Sequence, residues 1–185
     1  LYAILQGLNK EGVNIVSLED PVEYFIEGLN QSQVKPEIGY DFASGLRQIV
    51  RQDPDVIMVG EIRDNETAAL AIHAALTGHL VLSTLHTNDA IGVIPRLIDM
   101  KIEPYLLPAS LILMMAQRLV GRLCDNCKQK VEATGSLKEA IDRSIEKLSP
   151  ELKEKYQKEK YEVYLPQGCK ECNFKGVKGR IPLFE

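Results

Sequence analysis

The sequence predicts an α/β fold built on a mostly parallel sheet, followed by a small, largely helical, cysteine-rich module. Short apolar runs alternate with helix-patterned segments from Val13 to Met100, and such alternation builds parallel sheets through right-handed crossovers. Charged or imidazole-bearing residues follow each predicted strand, at the edge where these sheets bind ligands. The only four cysteines form two Cys-x-x-Cys pairs, Cys124 with Cys127 and Cys169 with Cys172.

Leu1, Ile4, Leu5 and Leu8 recur at helical spacing with no capping residue before them, so the chain is expected to begin inside a helix. Val13 to Leu18 reads as a strand that delivers Glu19 and Asp20 at its carboxyl end, where Pro21 cannot continue a ladder. A loop-rich stretch with Gly28, Pro36 and Gly39 follows. Phe42 to Arg51 is patterned as a helix, and Asp53-Pro54-Asp55 stops it before Val56-Ile57-Met58-Val59, a strand apolar on both faces. Gly60 and Glu61 end that strand.

Asn65 is expected to cap the next helix, which runs through His73 to Leu76, with Gly78 as its left-handed terminal residue. Leu80 to Leu85 is the next strand and leads to His86. Asn88 or Asp89 then caps a helix carrying Ile91, Ile94, Leu97 and Ile98.

A Cys-x-x-Cys turn presents two thiolates to one side of a metal, and two such turns complete the tetrahedral sulfur shell that Zn²⁺ favours. An iron–sulfur cluster, a redox pair or disulfides are the alternatives. Against disulfides, a chain of 185 residues can bury its own core, and no secretory or membrane-spanning run points to an oxidising compartment. Between the pairs, Ser136-Leu137-Lys138-Glu139 has the pattern of a capping box, and Ser149-Pro150-Glu151 starts a second helix with proline at its first position. Both helices are dense in Lys and Glu, the pattern of a solvated insertion.

A net charge of −4 and a pI near 5.5 supply no sequence-wide basic field, which argues against direct binding of nucleic acid. The longest apolar stretch, Ile102 to Leu123, is interrupted by Glu103, Pro104, Pro108, Gln117, Arg118 and Arg122 and cannot cross a bilayer unaided. The composition is that of a soluble, cytosolic protein.

Taken one at a time, the strand-end residues carry weak signals. Glu61 has the anionic oxygen needed to orient or deprotonate a water. Glu19, Asp20 and Glu23 offer hard oxygen ligands to Mg²⁺, or form a polar turn around Pro21. His79 and His86 bracket one strand, and an imidazole at its end can donate to a terminal phosphate.

Their order is distinctive. Ser17-Leu18-Glu19-Asp20-Pro21-Val22-Glu23-Tyr24, then Arg51 to Asp64 around Val56-Ile57-Met58-Val59-Gly60-Glu61, then Thr77 to Asn88 around Gly78-His79 and His86, resemble the aspartate box, Walker B motif and histidine box of the secretion ATPase superfamily. Gln117-Arg118-Leu119-Val120 leading into the first cysteine pair, with Gly176 to Arg180 after the second, is similar to the branch of type II secretion and type IV pilus assembly ATPases.

The resemblance implies a RecA-like P-loop NTPase core over 1–121, a tetracysteine zinc subdomain over 122–180, and the start of a further segment at 181–185. It implies ATP, Mg²⁺ and Zn²⁺ as ligands. Glu61 would be the catalytic carboxylate, Glu19 and Asp20 would serve the metal and water, and His86 would sense the terminal phosphate, with His79, Glu23 and Arg63 also on the nucleotide side. Members of the superfamily are homo-hexameric cytoplasmic motors, peripheral to the inner membrane, that drive pseudopilin or pilin assembly through a membrane platform protein.

One feature of the superfamily is missing: the chain contains no Gly-x-x-x-x-Gly-Lys-Ser/Thr. The resemblance places that loop just before Leu1, so the chain is expected to be a fragment, inactive by itself. A zinc-stabilised interaction module without turnover is the competing reading.

Overall fold

A computed structural model describes residues 1–157 and 160–185. They form two compact units, Leu1–Ala116 with Glu185, and Gln117–Phe184.

In the first unit, α1 (Tyr2–Leu8) precedes β1 (Ile15–Glu19), β2 (Asn30–Gln33), α2 (Phe42–Ile49), β3 (Val56–Val59), α3 (Asn65–Leu76), β4 (Leu80–Ser83), α4 (Val93–Asp99) and α5 (Leu107–Ser110). The four strands lie parallel in the order β2-β1-β3-β4. Their register sets Leu18 opposite Val59 and Val59 opposite Ser83, so the segments after β1, β3 and β4 leave on one edge.

Every residue of β1 and β3 is buried because helices cover both faces. Val16, Leu18, Ile57 and Val59 pack with Leu46 and Ile49 of α2 and Ala68, Ala71 and Ile72 of α3. On the other face, Ile15, Val56 and Met58 meet Leu5 of α1. Leu18, Ile57 and Val59 are 0% exposed, and each such side chain contributes about 1.5–3 kcal/mol by leaving water. Gly45 lets α2 approach closely, since a Cβ there would stand 2.7 Å from Leu18 Cδ2.

The local signals mostly act as expected, with informative exceptions. Asp41 and Ser44 form a capping box at the start of α2. The cap of α3 is Asp64, not Asn65: Asp64 is extended and its carboxylate accepts the Thr67 N–H at 2.8 Å, whereas Asn65 is already helical. The helix expected from Ile91 starts at Val93, and Asp89 accepts the Gly92 N–H at 2.7 Å just before it. The loop-rich stretch also contains a strand, β2, whose Asn-Gln-Ser-Gln sequence carries no apolar pattern.

In the second unit, β5 (Gln117–Leu123) pairs antiparallel with β8 (Val177–Phe184), and β6 (Gln129–Glu132) pairs antiparallel with β7 (Glu162–Leu165). Between β6 and β7 lie α6 (Gly135–Glu146) and α7 (Pro150–Tyr156). Ala133, Ile145 and Tyr161 form a small core there. The module is therefore part strand, and it is wider than 122–180 because Gln117–Gly121 pairs with Arg180–Phe184. Thr134, rather than Ser136, precedes α6, while α7 begins at Pro150 after Ser149 as expected. Among the described residues, no helix is long and apolar enough to cross a membrane.

Candidate functional site

The carboxyl edge of the sheet is held together by short backbone links. The Gly60 N–H donates to the Leu18 carbonyl at 2.7 Å, and a Cβ at Gly60 would stand only 3.1 Å from that oxygen. The Thr84 hydroxyl donates to the Gly60 carbonyl at 2.7 Å, and the Thr84 carbonyl accepts the Ile62 N–H at 3.0 Å. These bonds bring the segments after β1, β3 and β4 side by side. Thr84 was not singled out by the sequence, because a threonine at the end of an apolar run looks like any strand residue.

Four of the expected residues meet on this edge. Arg63 Nη2 donates to Glu61 Oε1 at 2.5 Å, and His86 Nε2 lies 2.9 Å from Glu61 Oε2. Arg63 Nη1 is 3.9 Å from Asp20 Oδ2. The Arg63 guanidinium, and secondarily the His86 imidazole, hold the Glu61 carboxyl below the ordinary glutamate range against the opposing effect of burial. Glu61 is thus ionised and accepts only, so Nε2 of His86 carries the proton in this pairing. The Glu61 side chain is 15% exposed and that of His86 80%, which leaves the imidazole free to turn toward a ligand.

Three expected residues are placed differently. Glu19 is buried beneath the edge because successive strand residues point to opposite faces, and its oxygens accept from Tyr2, Ser17 and Gln31. Glu23 is exposed in the segment beyond Pro21. His79 precedes β4 at the amino edge of the sheet, roughly 13 Å of strand away from His86, and its Nδ1 lies 2.9 Å from the Ala74 carbonyl oxygen. The sequence does not bring it to the cluster, since a strand separates its two ends.

The four cysteines form a second site. Their sulfur atoms all lie within 4.8 Å of one another. Cys124 to Cys169 is 3.9 Å, Cys127 to Cys172 is 3.8 Å and Cys169 to Cys172 is 3.8 Å. A tetrahedron with Zn–S bonds of 2.3 Å has edges of about 3.8 Å, so the cluster fits zinc. The first pair leaves β5 and enters β6, and the second leaves β7 and enters β8. The site therefore stands where two antiparallel ribbons meet. Asn173, Phe174 and Gly176 adopt positive φ to wrap the second turn around the sulfurs. The N–H groups of Cys169 and Gly176 each reach Cys172 Sγ at 3.2 Å and pull its thiol down to about 6, favouring the thiolate a metal requires. Burial pushes the Cys127 thiol up to about 11.

The chain matches proteins of known families. The profile of a family described as "Type II/IV secretion system protein" matches residues 1–185. Type II secretion system ATPase E of Vibrio cholerae is 51% identical over 185 residues, covering 100% of this chain and 34% of that protein. The type IV pilus assembly ATPase PilB of Myxococcus xanthus is 47% identical over 187 residues, covering 100% of this chain and 31% of that protein. Among solved structures, the pilus retraction motor PilT with bound ADP superposes with a TM-score of 0.59 at 40% identity, over 65% of this chain and 38% of that one. The Legionella pneumophila ATPase DotB does so with a TM-score of 0.56 at 31% identity, over 64% and 36%. The chain spans about a third of the length of the curated relatives it matches.

Proposed function

Because the chain belongs to the type II/IV secretion system protein family, whose profile covers all of its residues, we propose that it is the nucleotide-edge and zinc-binding portion of an ATPase motor that drives pseudopilin or pilin assembly. The observation that carries this reading is the ionised Glu61, set between Arg63 and His86 at the carboxyl edge of a parallel sheet. Glu61 orients the attacking water and takes its proton as the bond to the terminal phosphate breaks. Asp20 would supply a carboxylate to Mg²⁺, with Glu23 a further one in the segment beyond Pro21, and the bound ion would offset phosphate charge. His86, 80% exposed, turns from Glu61 to the terminal phosphate.

On this reading the whole protein is a cytoplasmic homo-hexamer, peripheral to the inner membrane and working through a platform protein there. Cys124, Cys127, Cys169 and Cys172 hold one structural zinc. The experiment is Glu61→Gln in the full-length protein. The amide keeps the volume but removes the charge that accepts a proton, so turnover falls by at least ~10²-fold while Mg-ATP binding persists. Near-normal turnover at saturating Mg-ATP would remove Glu61 from the mechanism.

A further inference from the structure

Glu19 is 3% exposed, and a carboxylate so deep in an apolar sheet is costly unless its oxygens are bonded. Oε1 accepts from the Ser17 hydroxyl at 2.5 Å and the Gln31 amide at 3.0 Å, and Oε2 accepts from the Tyr2 hydroxyl. Ser17 sits two residues back on the same face of β1, whereas Tyr2 comes from α1 and Gln31 from β2.

The two distant donors each grip the segment between β1 and β2 a second time. Gln31 Oε1 accepts the Ile26 N–H at 2.7 Å, and Gln31 Nε2 donates to the Tyr24 carbonyl at 3.2 Å. The Tyr2 oxygen accepts the Glu23 N–H at 3.2 Å, and its ring centroid lies 4.2 Å from that of Tyr24. The stretch that carries Asp20 and Glu23 hangs from Glu19 through one side chain of α1 and one of β2.

We propose that Glu19 is a positioning residue: a buried anchor that fixes the segment from Asp20 to Leu29 and ties it to α1, rather than a metal ligand or base at the phosphate edge. The catalytic consequence rests on the reading of function given above, but the anchor itself does not. Glutamate suits the position because its two oxygens accept all three bonds. Glutamine must turn its amide nitrogen toward one of three donors. Gln31 Nε2 cannot accept, so the amide nitrogen faces Tyr2, whose hydroxyl then reverses and loosens its hold on Glu23.

Amide hydrogen exchange on the 185-residue chain tests the anchor. Glu19→Gln should speed exchange at Glu23 roughly tenfold, the scale of one lost hydrogen bond, although that amide does not touch Glu19, while Ile26, held by Gln31, stays as protected as in the parent chain. Ile57 and Met58 in β3 should stay as protected as in the parent chain. Tyr2→Phe, which removes one hydroxyl from a half-buried ring, should reproduce the effect at Glu23 should the Glu19 variant not fold. In the full-length ATPase, Glu19→Gln and Tyr2→Phe should lower kcat together and raise the Mg²⁺ concentration for half-activation alike, because both loosen the segment that carries Asp20 and Glu23. Parent-like exchange at Glu23 in Glu19→Gln overturns the proposal. So does a raised Mg²⁺ requirement in Glu19→Gln but not in Tyr2→Phe, which would make Glu19 a ligand. Exchange is read without nucleotide, so the anchor and the ATPase reading, tested by Glu61→Gln, fail separately.

Discussion

His86 Nε2 stands 2.9 Å from Glu61 Oε2 while Arg63 fills the other oxygen, so one carboxylate joins the segments that follow β3 and β4. Before any ligand arrives, both oxygens of the proposed base are engaged by the protein's own donors. A substrate that draws His86 away frees one of them without releasing the other.

This pairing has a pH signature. Glu61 should titrate below 4.5, the ordinary glutamate value, because Arg63 first and His86 second favour its charged form. A lowered carboxylate adds stability that is fully present above the ordinary value and is lost as pH falls through the lowered one. Carboxyl-resonance titration should show the midpoint rising toward 4.5 in Arg63→Ala and rising less in His86→Ala. A parent midpoint at or above 4.5 would contradict the geometry.

The purified, metal-replete chain should hold one zinc by elemental analysis, and Cys172→Ser should lose it. Structural zinc sites carry binding free energies of about 10–16 kcal/mol that act as folding free energy. The residues from Gln117 to Phe184 should therefore lose exchange protection in the variant, while those from Leu1 to Ala116 keep theirs through their own cores. Full zinc content in Cys172→Ser would remove that sulfur from the shell.

Gly176 has φ of +70°, and a Cβ there would stand 2.4 Å from Pro166 Cβ. Gly176→Ala should weaken the second cysteine turn by about 1–3 kcal/mol, the cost of a strained backbone residue. Faster zinc transfer to a chelator is the readout, with Gly7→Ala, where nothing lies within 4 Å of the added methyl, as the neutral comparison.

The 185-residue chain has no glycine-rich phosphate loop with its lysine, and carboxylates without such donors repel a nucleotide. Calorimetry should find Mg-ATP binding weaker than about 1 μM, an affinity of about −8 kcal/mol. Tighter binding would locate the phosphate site among residues present in this sequence.

The strands at the centre were legible because β1 and β3 are buried on both faces, which makes Ile15, Val16, Leu18 and all of Val56–Val59 apolar, and half-buried β4 carries Leu80, Val81 and Leu82. β2 was not, since an edge strand with partly exposed side chains tolerates Asn-Gln-Ser-Gln. Pairing of β5 with β8 was also invisible: its partners are joined across the whole α6–α7 excursion, and no local pattern records a distant register. The cysteine spacing announced its site because ligand geometry is local within each pair. Among the carboxylates, motif order placed Glu61 and Asp20 correctly at the edge, but strand alternation turned Glu19 inward and strand length carried His79 to the opposite end. The buried Ser17 beside Glu19 was the available sign that this face of β1 held a polar network.

Within the second unit, the path through β6, α6, α7 and β7 starts at Cys127 and ends at Cys169, so a zinc held by the four cysteines would fix where it starts and stops whatever happens between. Lengthening a closed excursion is thermodynamically cheap, about 0.6 kcal/mol per doubling. The turn between α6 and α7, near Leu148, is therefore a natural splice point: a tag, a fluorophore-bearing peptide or a whole small domain grafted there leaves the cysteine joint untouched.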